Sequence, residues 1–548
     1  MNEHFLSFLI FSPLLFAVVI AILPQKLSYS YKWLTLGASI LQVLLFAMLL
    51  PSYKVEANGY SEISSYAFVE KFNWFNFQIG NLGQFKVEYF LGLDGLSISM
   101  VGLSIIVLLF ASISSWNITN KSKGYFTLFL VLNTSILGCF IALDAFLFYV
   151  FFEFMLLPMF FLIGIWGGER REYASIKFFI YTLVGSILIL IVFLGQYASV
   201  IDPLATAREL GNVSVNEVYE ILNSGKMSTS TVVHSFSMLD WANPKNYIPE
   251  SILSPLLYDN LKWAFILLLI GFSIKLAIVP LHTWLPDAHV EAPTAGSVIL
   301  AGVLLKVGGY GLIRMGYAVY PTVLPELSWW IGLFGMISII YGSYNALAQS
   351  NLKKLIAYSS VAHMGFVLLG LASGTIEGIN GAIYQMFAHG FISSMLFLLA
   401  GVLYDRTHNL EIENYRGIAS KMPFYTAFTT IAFFASLGLP GFAGFIGEFM
   451  VFVGGFTSTF IPSWMTIVSL FGLILGAAYY LWTLQRIFFG KLWIKNNTTS
   501  VDTLKDLTSR EFVLFIPLSL LIILFGVYPS LLLDYLTPMV QQLINLIH

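Results

Sequence analysis

The sequence predicts an all-α, polytopic membrane bundle of about fourteen transmembrane helices, with two inverted five-helix repeats and two broken helices. Apolar residues make up 58% of the 548 residues and charged residues only 10%, whereas soluble domains are about one quarter charged. The apolar residues are gathered in runs long enough to cross a bilayer, which takes roughly 20 helical residues. Soluble enzymes and proteins with a single membrane anchor are therefore excluded.

Apolar runs bounded by charges, Gly and Pro predict the spans in chain order. They lie at 5–23, 33–50, 90–114, 124–142, 144–166, 174–199, 258–280, 294–318, 327–347, 352–372, 378–403, 422–455, 463–488 and 511–535. No cationic segment precedes the first span and further spans follow it, so we expect it to be retained rather than cleaved as a signal peptide.

The spans group into four units: 1–123 with an external loop at 51–89, 124–318 with an external insertion at 200–257, 327–488, and 489–548. Spans four to eight and nine to thirteen form two units of five. Because five is odd, the second unit enters the membrane from the opposite side, which predicts inverted repeats. Pro and Gly interrupt the seventh and twelfth spans, which is typical of broken helices at an ion site in transporters built this way.

Lys and Arg are unevenly divided between alternate loops. Counted with the span ends beside them, loops after odd-numbered spans hold seventeen, and loops after even-numbered spans hold eight, of which seven lie in or beside the two long insertions and the eighth is Arg314. Positive residues collect on the cytoplasmic side. We therefore expect both termini and both insertions to lie outside, on the periplasmic side of a bacterial inner membrane.

Six ionisable residues lie well inside predicted spans. Such groups cost at least about 2.5–3.5 kcal/mol each near the bilayer centre and persist mainly where they face a bundle interior or a wet cavity. They are therefore the strongest functional signal, and they form the candidate site: Glu153, Lys275, Lys306, His363, His389 and Glu448.

Structural interpretations remain open beside this functional one. Glu153 and Lys275 alone would also suit an ion pair that locks helices together, and a membrane histidine often serves packing. Asp94 and Asp144 lie at span ends, where helix capping is the expected role. His282, Asp287, His289 and Glu291 share a short loop, but they lack a helical His-x-x-x-His pattern, so no metal site is expected there.

Several other classes of chemistry lack their sequence signatures. Cys139 is the one cysteine, so an internal disulfide and the thiolate clusters of iron–sulfur or zinc sites are excluded. Dinucleotide and phosphate-binding glycine loops are missing. The net charge is −2 and no basic stretch tracks a phosphate backbone, so nucleic acid is not an expected partner.

Three motifs carry a family resemblance: IKLAIVPLHTWLPDAH at 274–289, EAPTAGSVILAGVLLK at 291–306 and LKKLIAYSSVAHMG at 352–365. They resemble the antiporter-like membrane subunits of respiratory complex I, the proton-translocating NADH:quinone oxidoreductase, over about residues 90–490. Within that family the chain looks most like the M-type members. Glu448 stands where the L and N paralogues generally have lysine, and the chain ends soon after the fourteenth span without the long lateral helix of L.

The resemblance implies a proton relay driven by quinone reduction elsewhere in the complex. Glu153 and Lys275 would form the charge pair of a first half-channel, and Lys306 would be the central relay. The remaining members would be the bridging residues His363 and His389 and the terminal site Glu448. The resemblance also implies that this chain binds no cofactor, since NADH, FMN, iron–sulfur clusters and quinone belong to other subunits. Expected partners are the lipid bilayer and other complex I membrane subunits, with this chain between the L-type and N-type subunits.

Two features keep alternatives open. The insertion at 200–257 is longer than the family's usual connection there, and its role is not implied by the resemblance. A D-type subunit of a multi-subunit cation/proton antiporter shares most of these motifs, and the membrane arm of a hydrogenase complex is a third reading. Glu448 argues against the antiporter, and a pure scaffold would not explain six buried ionisable residues.

Overall fold

Helices occupy all fourteen predicted spans. The computed structural model describes residues 4–54, 60–78, 84–224, 231–495 and 504–548. The observed spans are Phe5–Ile22, Ser28–Leu49, Gly95–Ser114, Ser122–Ile141, Ala145–Trp166, Arg171–Ser199, Tyr258–Leu276, Thr294–Tyr317, Leu324–Leu347, Leu352–Ala372, Ile376–Thr407, Pro423–Ser436 with Ala443–Thr457, Ser463–Phe488 and Ser509–Val527. Twelve helices of the described ranges are long and apolar enough to cross a membrane unaided. The other two spans are the seventh, which carries three charged residues, and the twelfth, which is split.

Parts of the predicted loops lie outside the described residues. These parts are 55–59 and 79–83 in the first loop, 225–230 in the second insertion and 496–503 before the last span. The prediction that the first span is retained rests on the segment that precedes it, and residues 1–3 of that segment also lie outside the described residues.

Both predicted helix breaks are confirmed. The seventh span ends at Leu276, followed by Ala277 in a left-handed conformation (φ 60°), and helix resumes only at Trp284–Glu291. The twelfth span is non-helical between Ser436 and Ala443. Two glycines in this gap have φ of 75° and 98°, which side chains other than glycine rarely adopt.

Two further irregularities were not predicted. The eighth span contains π-helical segments at Leu300–Leu304 and Leu312–Tyr317, on either side of Lys306. The fifth span is interrupted at Met155, two residues beyond Glu153. Short π-helical segments such as those beside Lys306 often mark functional positions.

The third, eighth, tenth and eleventh spans form the centre of the bundle. The apolar stretches of the eighth and eleventh are buried throughout, whereas fewer than half of the residues in those of the first, second, sixth, thirteenth and fourteenth are fully buried. The seventh and eighth spans touch at Gly308, where a Cβ would lie 2.7 Å from the Leu276 nitrogen and the Phe272 oxygen. Such contact needs a residue without a side chain. The central polar residues of the eighth, tenth and eleventh spans therefore face protein rather than lipid.

The two polar insertions lie on the same face of the bundle, as predicted, and we call it the insertion face. The first forms an antiparallel hairpin of Ala67–Gln78 and Gln84–Leu93, and the second forms short helices at Pro203–Glu209, Val215–Asn223 and Met238–Trp241. They are joined by an ion pair of 2.6 Å between Lys86 and Asp202.

Helix capping confirms the expectation for the two aspartates. Asp94 accepts a hydrogen bond from the Ser97 backbone nitrogen, and Asp144 accepts one from the Leu147 backbone nitrogen, each at 2.9 Å. The predicted start of the third span was wrong, because the hairpin strand continues to Leu93 and helix begins after the Asp94 cap.

Two assignments near other span ends were also wrong. Arg314, at the predicted end of the eighth span, was counted with the cations of the adjoining loop, but it is fully buried within the bundle and pairs with Asp94. The fourteenth span ends at Val527 rather than 535, and a separate helix, Ser530–Ile547, follows it and packs against the third and eleventh spans. The prediction extended the span to 535 because the apolar residues of this amphipathic helix follow directly on those of the span before it.

Candidate functional site

Lys306 lies at the centre of the bundle and touches His389 directly. Its side chain is fully buried, and its Nζ lies 2.8 Å from Nδ1 of His389 on the eleventh span. Nζ also donates to the carbonyl oxygen of Ala301, within the preceding π-helical segment. The lysine thus has one fixed partner on its own helix and one titratable partner on a neighbouring helix.

His389 leads on to His363 and Glu448. The rings of His389 and His363 have centroids 5.3 Å apart and are inclined by 53°. Nδ1 of His363 lies 3.4 Å from Oε1 of Glu448, and both residues are buried. Four of the six candidate residues therefore form one line through the eighth, eleventh, tenth and twelfth spans.

The break in the twelfth span positions Glu448. Gly438 takes a left-handed conformation, and a Cβ there would collide with Oε2 of Glu448. Gln385 of the eleventh span lies beside the same group, with Nε2 3.1 Å from Nδ1 of His363. The chain reversal in the Gly-Leu-Pro-Gly segment therefore leaves room for a carboxylate against a histidine.

Glu153 and Lys275 form a second, looser group. Lys275 is buried in the last turn of the first half of the seventh span, and its Nζ lies 4.6 Å from the centroid of the Phe152 ring. It interacts electrostatically with Glu153. Glu153 is half-buried, and its Oε1 has no hydrogen-bond partner. The expected charge pair is thus present as two nearby charges, without a direct ion pair among the described residues.

The two groups are one helix contact apart. Lys275 directly precedes Leu276, whose backbone packs on Gly308 of the eighth span, two residues beyond Lys306. The hydrogen bonds described for Lys306 go to Ala301 and His389, so a proton passing from Lys275 would need an intervening carrier.

The loop residues considered for a metal site have structural partners. Asp287 pairs with Lys177 at 2.7 Å, the His289 ring stacks on Phe397 with centroids 4.3 Å apart, and Glu291 accepts from the Arg170 backbone nitrogen at 2.9 Å. Within the described ranges no three His, Cys, Asp or Glu side chains are grouped so that they could hold a metal ion.

Sequence reasoning missed the uncharged members of the site. Gln385, Ser436, Tyr480 and Ser359 all contact the line or one another. Serine, tyrosine and glutamine occur in membrane helices in many roles, so only the charged residues stood out.

The comparisons with known proteins agree on one family. The family model described as NADH:quinone oxidoreductase/Mrp antiporter, TM, matches residues 142–476. The NADH-quinone oxidoreductase subunit M of Rhodobacter capsulatus is 37% identical over 550 residues, which cover 100% of this chain and 97% of the relative. That of Rickettsia felis is 39% identical over 482 residues, covering 88% and 86%.

A solved structure shows the same fold. A chain of respiratory complex I from Thermus thermophilus with bound NADH superposes with a TM-score of 0.77 at 28% identity, over 99% of this chain and 100% of that one. The chain therefore belongs to the NADH:quinone oxidoreductase/Mrp antiporter membrane family, among the M subunits of NADH-quinone oxidoreductase.

Proposed function

We propose that this chain is a proton-translocating subunit of the membrane arm of NADH:quinone oxidoreductase. The observation that carries the proposal is the buried line Lys306, His389, His363, Glu448, in which the first and last steps are contacts of 2.8 Å and 3.4 Å between titratable atoms. A scaffold would not need four buried titratable groups side chain to side chain inside the bundle.

Protons would move along this line by exchange between adjacent groups. Lys306 releases a proton from Nζ to Nδ1 of His389, which must carry its other hydrogen on Nε2 to accept it. The two imidazole rings then exchange a proton, and His363 passes one from Nδ1 to Oε1 of Glu448. Once Lys306 takes up a new proton and Glu448 releases the one it received, each group ends the cycle as it began, and the chain itself is neither oxidised nor reduced.

Glu153 and Lys275 would supply the switch. Moving one proton against about 180 mV costs roughly 4 kcal/mol, and an ion pair at about 4 Å in an effective dielectric of about 20 is worth roughly the same. Contact between the two side chains would hold the charge on Lys275. The separated arrangement seen here is the one in which Lys275 passes its proton toward Lys306.

The surroundings follow from the same proposal. The chain would sit between the L-type and N-type subunits of a bacterial inner membrane, and would leave NADH, FMN, iron–sulfur clusters and quinone to other subunits. Removing the buried residues Arg314 and Lys353 from the count leaves sixteen cations opposite the insertions and seven on the insertion face. This charge difference supports a periplasmic position for the termini and insertions.

The proposal is tested in the assembled complex with K306A and E448A, using K491A at an exposed lysine as control. Assembly, NADH oxidation and proton pumping are measured together. We expect the two site variants to assemble and to lose pumping, while K491A keeps it. Full pumping in K306A with normal assembly would contradict the relay.

A further inference from the structure

A line of hydroxyl groups leads from His363 away from Glu448. Nε2 of His363 lies 3.2 Å from Oγ of Ser436, this oxygen lies 2.6 Å from the Tyr480 hydroxyl, and Tyr480 donates to Oγ of Ser359 at 2.9 Å. All four residues are buried. We propose that Ser436, Tyr480 and Ser359 form a proton-conducting branch between His363 and the face opposite the insertions.

The topology gives the branch its direction. The tenth span begins at Leu352 on the face opposite the insertions, and Ser359 lies about two turns inside it. Tyr480 lies about two turns before Phe488, where the thirteenth span ends on that face. Ser436 closes the half of the twelfth span that starts there. The branch therefore lies in the half of the membrane nearer the face opposite the insertions, which the line from Lys306 to Glu448 does not enter.

The hydrogen bonds along the branch all point one way. A hydroxyl has one hydrogen to donate. Ser359 donates to the Ile356 carbonyl at 2.7 Å, and Tyr480 donates to Ser359. Ser436 must then donate to Tyr480, and Nε2 of His363 must carry a hydrogen and donate to Ser436. This uniform polarity is what stepwise proton transfer requires, because each oxygen can accept one proton while it releases another.

The opposite polarity needs the other tautomer of His363. With its hydrogen on Nδ1, the ring faces Oε1 of Glu448 at 3.4 Å, and a bare Nε2 accepts from Ser436. Gln385 suits both tautomers: its Nε2 donates to a bare Nδ1 at 3.1 Å, and its Oε1, buried without a hydrogen-bond partner, accepts from Nδ1–H once the amide turns over.

One proton entering at Ser359 converts the second arrangement into the first. Ser359 takes up the proton and passes its own to Tyr480, Tyr480 passes its own to Ser436, and Ser436 passes its own to Nε2 of His363. His363 then gives the Nδ1 proton to Oε1 of Glu448. Each O–H or N–H bond that breaks is matched by one that forms, and the hydrogen bonds end as the structure shows them.

The branch rests on the proposed relay, and the test separates the two. Y480F and S436A are compared in the assembled complex with Y425F, which changes an equally buried tyrosine that donates to the Leu399 carbonyl at 3.0 Å, outside the branch. We expect Y480F and S436A to slow pumping about tenfold or more, because a positioned proton-transfer group typically contributes at least about a hundredfold. S436T, which keeps a hydroxyl, should restore most of what S436A loses.

The pH dependence distinguishes a proton path from a packing role. Acidifying the face opposite the insertions should partly restore pumping in Y480F, since a poorer path is limited by proton supply, and should leave Y425F unchanged. If K306A stops pumping while Y480F matches Y425F at every pH, the branch is wrong and the relay stands. If K306A pumps normally, both the relay and the branch are wrong. Should Y480F not assemble, equal pumping by S436A and S436T would overturn the branch.

Discussion

Arg314 holds Asp94 through two parallel contacts, NH1 to Oδ2 at 2.6 Å and NH2 to Oδ1 at 2.7 Å, with both side chains buried. The same guanidinium donates to the Tyr60 hydroxyl and to Oγ of Ser97, each at 3.0 Å. The pair fastens the end of the eighth span nearest the insertion face to the start of the third span. It thereby fixes the helix that carries Lys306.

Removing one partner of this pair should destabilise the chain strongly. Breaking a buried ion pair costs about 3–5 kcal/mol, because the remaining charge stays buried without compensation. We expect R314M to lower the temperature at which the chain leaves the complex. The double variant R314M/D94N should lower this temperature less than R314M alone does, since no uncompensated carboxylate remains.

The exposed pair of Arg486 and Glu413, at 3.1 Å, is the matched control for this prediction. Solvent-exposed pairs contribute about 0–1 kcal/mol, so R486M should leave the dissociation temperature almost unchanged. Equal effects of R314M and R486M on the dissociation temperature would show that the buried pair contributes no more to stability than the exposed pair.

The contrast between Arg314 and Lys306 shows what could be predicted from the sequence. Fourteen spans, two helix breaks and six buried ionisable positions followed from apolar length, Gly and Pro, and the cost of burying charge. Arg314 was counted with the cations of the adjoining loop because it lies four residues from the predicted end of its span, and the sequence did not show that it is buried. Its partner Asp94 lies 220 positions away, and no local pattern links them.

Within the site, the sequence indicated which groups are buried but not which ones touch. The contact of Lys306 with His389 and the separation of Glu153 from Lys275 depend on helix packing and on the π-helical segments of the eighth span. The hydroxyl residues carry little insertion cost, so hydropathy does not single them out.

Substitution of Lys306 by arginine should separate charge from proton transfer. Arginine keeps the positive charge but does not release its proton in proteins. We expect K306R to assemble and yet to pump as poorly as K306A. K353R is the control, because Lys353 is a buried lysine that donates to the Ala292 carbonyl at 2.9 Å, outside the line.

Proton pumping and NADH oxidation measured on both variants decide this prediction. K353R should retain pumping close to that of the parent chain. Normal pumping by K306R would mean that Lys306 provides only a fixed charge.

Gly438 should tolerate alanine less well than Gly441, although both lie in the same helix break. Their φ values of 75° and 98° give both substitutions a conformational cost of roughly 1–2 kcal/mol. A Cβ at position 438 also meets the Glu448 carboxylate, whereas one at position 441 meets nothing within 4 Å. We therefore expect G438A to displace Glu448 from His363 and to slow pumping, and G441A to affect stability alone.

Thermal stability and pumping rate are compared for the two glycine variants. The expected result is similar stability with a lower rate in G438A. Equal rates would show that the position of Glu448 is not set by the space at Gly438.

The second insertion should loosen as the pH rises through neutrality, because Asp240 is half-buried there. Its Oδ2 accepts from Oγ of Ser235 at 2.6 Å. Burial, reinforced by the negative charge of Asp202, raises the pKa of Asp240 from 3.8 to about 7, while Lys71 opposes and Glu88 reinforces this shift. A carboxyl group whose pKa is raised by folding stabilises the folded form fully below its unfolded pKa, and this contribution is lost progressively as the pH rises from there through the folded pKa.

Hydrogen exchange of residues 231–250, corrected for intrinsic rates, measures this loosening. Between the ordinary pKa of 3.8 and the folded value of about 7, each pH unit costs up to about 1.4 kcal/mol, or about tenfold in opening, and the cost levels off above the folded value. We expect more protection at pH 6 than at pH 8 in the parent chain, and a much smaller difference in D240N, which cannot ionise. E220Q, at an exposed carboxylate of the same insertion, should behave like the parent, and a difference that persists unchanged in D240N would assign the titration to another group.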